Sequence, residues 1–60
     1  MISLSEQISE VKRELHFRER LYPSLIARDK LTHAEADRAM RRMQAVLATL
    51  EELAGKERLL

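Results

Sequence analysis

Asp29-Lys30-Leu31-Thr32-His33-Ala34-Glu35-Ala36 is the stretch that decides the fold. It reads as a short turn, about residues 29–31, followed at once by a helix start. Thr32 and Glu35 have capping-box spacing: the hydroxyl accepts from the N–H three residues on, and the carboxylate reaches back to the cap. Leu31 and Ala36 flank the box in the two staple positions. Toward the amino terminus, Ser3-Leu4-Ser5-Glu6 repeats the same pattern and opens an earlier helix. In the other direction, Gly55 is the natural left-handed residue to stop the later one, with continuation through residues 56–60 left open. The reading is all-α: one domain, residues 1–60, with helices over about 4–28 and about 33–54 closed into an antiparallel hairpin.

Apolar spacing supports both helices. Leu4, Ile8, Val11, Leu15, Arg18, Tyr22 and Leu25 alternate steps of four and three, as do Ala36, Met40, Met43, Leu47, Leu50 and Ala54. Such a repeat gives each helix a continuous seam for another helix. Antiparallel closure sets Leu25 near Ala36, Leu15 near Leu47 and Val11 near Leu50. Two residues break the pattern. Arg18 occupies a seam position, where its stem can pack while the guanidinium snorkels outward, with Glu14 one turn back as ionic neighbour. Pro23 removes a backbone hydrogen bond and crowds the Glu19 carbonyl, costing ~3 kcal/mol. A kink around residues 19–22 is expected, the alternative being a break with Pro23 restarting the helix.

A chain of 60 residues buries only ~60% of its unfolded surface, and domains this small usually need a disulfide, a metal or a second subunit. There is no cysteine, which excludes disulfides and thiolate metal sites. Hydrophobic residues at 45% and charged residues at 35% fit a helical bundle and are too apolar for a disordered chain. No apolar run approaches the ~20 residues of a membrane span. The first residues lack the basic and apolar regions of a signal peptide, so the cytoplasm is the expected location.

More apolar surface is present than one hairpin can cover. Ala39, Val46 and Leu53 form a second row beside the main seam, and Phe17, Leu21 and Ile26 add to it on the first helix. A homodimer closing into a four-helix bundle would cover this surface, with Ala39, Val46, Leu53, Phe17 and Leu21 as the expected dimer interface. A heterologous partner is the rival occupant. Charge is also uneven. Residues 18–42 hold seven bases and four acids, a net of +3, and the remainder holds four bases and six acids, a net of −2. Dimerisation with the turns at opposite ends would set each basic end against an acidic one.

Catalysis finds no support in the sequence. His33 and Asp37 stand one turn apart but lack a third ligand, and His16, near Glu19 and Arg20, reads as part of a solvated helix face. No serine has a positioned base, and there is no glycine-rich phosphate loop. No catalytic residue, metal or cofactor is expected. Nucleic acid is the alternative to a protein partner. Leu25 to Met43 superficially resembles a helix-turn-helix, offering Thr32, His33, Arg38, Arg41 and Arg42 to a groove. That motif normally rests on a third helix and often carries a glycine in its turn, and here Glu35 and Asp37 share the surface that would face phosphate.

The stretch Tyr22-Pro23-Ser24-Leu25-Ile26-Ala27-Arg28-Asp29-Lys30-Leu31-Thr32-His33-Ala34-Glu35-Ala36-Asp37, followed by Met43-Gln44-Ala45-Val46-Leu47-Ala48-Thr49-Leu50, resembles small uncharacterised helical-hairpin proteins of proteobacterial phages, prophages and their hosts. Ser3-Leu4-Ser5-Glu6-Gln7-Ile8 extends the likeness over nearly the whole chain. The resemblance implies no activity and no site residues. It implies a setting in which small proteins act by binding a host or phage protein. The expectation is a non-enzymatic interaction module that presents Arg38, Arg41 and Arg42 to a partner protein, with a small nucleic-acid-associated regulator as the alternative.

Overall fold

The computed structural model describes residues 1–59, without the side chain of Leu59; Leu60, at the end of the open stretch 56–60, lies outside the described residues. Two helices, α1 (Leu4–Ala27) and α2 (His33–Leu59), pack against each other, and among the described residues there is no strand. The hairpin measures 48 × 18 × 15 Å and its radius of gyration is 14.2 Å, against about 10 Å for a compact domain of this length. A rod of this shape has little interior.

Both helix starts are built from the expected residues. Ser3 Oγ accepts from the Glu6 N–H at 3.1 Å. The Glu6 carboxylate, expected to reach the backbone of Ser3, instead accepts from the Ser3 hydroxyl at 3.3 Å. The second box is complete: the Glu35 N–H donates to Thr32 Oγ1 at 3.1 Å, and the Thr32 N–H donates to Glu35 Oε1 at 3.0 Å.

The first helix ends in a Schellman motif. The Asp29 N–H donates to the Ile26 carbonyl at 3.1 Å and the Lys30 N–H to the Leu25 carbonyl at 2.9 Å. This geometry needs a left-handed residue just past the helix, and Asp29 supplies it at φ 55°. Asp tolerates that region better than most side chains, though less well than glycine.

α1 runs through Pro23 without a break. The residue sits in the last turn and a half, on an exposed face, so one lost hydrogen bond is borne by a helix already committed by its seam. α2 does not stop where the sequence suggests. Gly55 is helical, no glycine has positive φ, and the helix continues to Leu59. Two local features explain the continuation. Lys56 reaches back across the glycine to Glu52 at 3.6 Å, and Lys56 and Arg58 place positive charge in the last turn, where the helix dipole favours it.

The seams face each other in the expected register. Lys12 and Glu51, the residues just after Val11 and Leu50, meet across the helices at 3.9 Å. Near the termini Leu4 and Ile8 share one shallow depression with Ala54 and Arg58. Arg18 behaves as a snorkelling seam residue. Its side chain is only 25% exposed and its Nε lies 2.9 Å from Glu14 Oε1. That hydrogen bond holds the guanidinium still more firmly in its charged form, with a smaller contribution from Tyr22. The deep core is small: Leu15 at 8% and Ala36 at 7% exposure are the buried hydrophobics among the described residues, and the rest of the seam is half-buried.

Candidate interaction surface

Two packed helices leave two open faces, and the Lys12–Glu51 pair marks one of them. Each of these residues follows a seam position. Leu21, Ala39, Val46 and Leu53 each precede one (Tyr22, Met40, Leu47 and Ala54), so helical geometry puts them on the opposite face. Phe17 stands one turn from Leu21 on the same flank. The expected interface residues are therefore brought together. Phe17 is 58% exposed, Val46 47% and Leu53 44%, while Leu21 and Ala39 are half-buried at the edge of the seam. Ile26, half-buried, turns instead toward the depression at the turn that it shares with Leu31, Thr32 and His33.

The three arginines singled out in the sequence are all exposed on α2, but they are not equivalent. Arg41 Nε is engaged by Asp37 at 3.0 Å, one turn back. Arg38 and Arg42 have no carboxylate within 4.0 Å among the described residues. Arg38 does act at a distance on Glu35, whose carboxyl is held below the usual carboxylate range. The main cause is the backbone hydrogen bond at Thr32, followed by the Thr32 hydroxyl, with the Arg38 charge a smaller contribution.

Ion pairing sorts all the bases of the chain. Lys12, Arg13, Arg18, Arg41 and Lys56 each have a carboxylate partner. Arg20, Arg28, Lys30, Arg38 and Arg42 have none among the described residues, and all five lie in the half of the rod nearer the turn. Arg58 is the one such base elsewhere. Arg20, Arg28 and Lys30 were visible in the charge count but not as site residues. The signal that could have joined them to Arg38 and Arg42 is the antiparallel register, which brings residue 20 level with the neighbourhood of residue 42.

Other candidates are less concentrated. His16 Nδ1 lies 3.6 Å from Glu19 Oε2 on an exposed face, and His33 opens α2 at the rim of the turn depression. Among the described residues no three of His, Cys, Asp or Glu gather where a metal could sit, and no helix is long and apolar enough to cross a membrane. Compared with known protein families, curated proteins and solved structures, the chain matches none of them.

Proposed function

We propose that this chain is a non-enzymatic protein-interaction module of the cytoplasm. In this reading two hairpins associate through the Phe17/Val46/Leu53 face into a four-helix bundle, and each turn end presents its free bases to an acidic surface of a host or phage protein. One observation carries the reading: of the six bases without a carboxylate partner among the described residues, five lie in the half of the rod nearer the turn. Exposed ion pairs are worth little, so a structural role does not require five unpaired bases there. Their mutual repulsion opposes the fold, and an anionic surface would relieve it. That surface is an acidic partner protein in this reading or, where the arginines serve only the dimer, the acidic terminal half of a sister hairpin. The carboxylates Glu35 and Asp37, set among them, suit a protein surface, where a misplaced like charge excludes wrong partners. A phage or prophage setting rests on the sequence resemblance alone.

The same bases support the second reading, nucleic acid, whose signature is affinity that falls steeply with salt. The test is the double variant Arg38→Ser/Arg42→Ser. Loss of the protein that the wild type retains from a bacterial lysate, with the oligomeric state unchanged, supports the proposal, and loss of dimerisation assigns the arginines to the sister hairpin and overturns it. Retention of that protein by the variant overturns it. Tight, steeply salt-dependent binding of the wild type to random-sequence duplex DNA replaces it with the nucleic-acid reading.

A further inference from the structure

On the reading that two copies associate, the apolar face itself limits how they can meet. A two-fold axis crossing the helices at right angles stacks each helix on its own copy, with the turns at opposite ends. An axis along the helices stacks α1 on α2, with both turns at the same end. The register set by Lys12 and Glu51 makes Val46 about level with Phe17 and Leu53 about level with Glu10. Stacking α1 on α2 would set Val46 against Phe17 but press Leu53 against the level of Glu10, which desolvates charge, whereas stacking α2 on α2 gives Leu53 the apolar Ala39. Leu21 meets the level of an arginine either way, Arg42 or Arg13. Stacking α1 on α2 would also bring two turn ends together, each carrying a net of +3 over residues 18–42.

We infer that the occupant of this face is a second copy of the chain, packed α2 against α2 about an axis through Val46, with the turns at opposite ends. The row Ala39, Val46, Leu53 is spaced evenly by seven residues, so an axis at its centre sets the small Ala39 of one copy against the large Leu53 of the other. Large facing small is how packed layers interdigitate. The exposed Phe17 then meets its own counterpart near the same axis. Each basic turn end comes to lie along the other copy's terminal half, which carries a net of −2. The row from Ala39 to Leu53 runs about 21 Å along α2, less than half of the 48 Å rod, so the apolar contact is centred on the axis and the charged halves flank it.

The chain has no cysteine, so single introduced thiols report the geometry directly. Val46, Leu53 and Phe17 are exposed in one hairpin, and replacing them leaves the seam intact. Under mild oxidation Val46→Cys should form a 46–46 disulfide in a yield several-fold above Ser9→Cys, a collision control on the opposite face. Ala39→Cys mixed with Leu53→Cys should cross-link several-fold more than either alone. A 46–17 link between Val46→Cys and a mass-tagged Phe17→Cys, without the 46–46 link, overturns the geometry and leaves the dimer standing. A wild-type chain that sediments as a monomer under the same conditions overturns the dimer as well.

Discussion

Replacing Gly55 by alanine should stabilise the protein. Glycine inside a helix is about 1 kcal/mol less favourable than alanine because its backbone has more freedom to lose. At Gly55 nothing offsets that deficit. The residue is helical, its φ is not positive, and a Cβ built there meets no atom within 4 Å. Its place in the last turn and a half, where helices fray, reduces the gain to about 0.5–1 kcal/mol. For a domain of this size that corresponds to a rise in Tm of about 2–8 °C. The assay is thermal unfolding by circular dichroism at one fixed protein concentration, because association makes Tm concentration-dependent. The opposite sign is equally readable. Were Gly55 a left-handed stop, as its sequence position suggests, alanine would be strained there and Tm would fall by several degrees. A fall would refute the continuous helix to Leu59.

Asp29 holds the left-handed position after α1, so Asp29→Gly should raise stability by about 0.5–1 kcal/mol in chemical denaturation, and no gain would mean that the aspartate makes a compensating local interaction. Thr32→Ala removes the complete cap of α2 and should cost about 1 kcal/mol; Glu35→Ala should cost less, and a neutral Thr32→Ala melt would move the helix start. The Glu35 carboxyl is lowered in the folded state, so its contribution is fully present above the unfolded carboxylate pKa and disappears as pH falls through the folded one. Acidification should therefore lower the wild-type Tm more than that of Glu35→Gln, and parallel acid profiles for the two would contradict this. Leu47→Asp buries a charge in the seam and should abolish the helical signal, whereas Val46→Asp, on the open face, should leave the hairpin helical and weaken association. Equal unfolding by both would show that the two rows are not separate.

Helix starts were legible because their chemistry is local. Thr32 with Glu35 and Ser3 with Glu6 each declare an N-terminus within four residues, and the four–three spacing of the seams comes directly from helical periodicity. The same spacing places Arg18 against Glu14. The end of the second helix was less legible. Gly55 carries the composition of a stop, but whether a glycine ends a helix depends on its neighbours, and Lys56, with Glu52 one turn back, favours continuation. The first helix ends at Ala27, one residue before the expected end at about 28, although its left-handed residue is Asp29 and not a glycine. The interaction surface was readable as residues and charge counts, but the division between paired and unpaired bases was not. That division depends on which carboxylate lies one turn away, as Asp37 does for Arg41, and on which bases the antiparallel register gathers at the turn.

On the proposed reading a single hairpin is incomplete, and a second copy completes it. Only Leu15 and Ala36 are buried among the hydrophobics of the described residues, while Phe17, Val46 and Leu53 stand open on one face. Sedimentation equilibrium of the wild-type chain at micromolar concentration decides between a dimer and a lone hairpin. The expected mass is twice that of one chain, shifting toward a single chain on dilution and for Val46→Asp. A stable, helical wild-type species with the mass of one chain across that range would contradict the dimer.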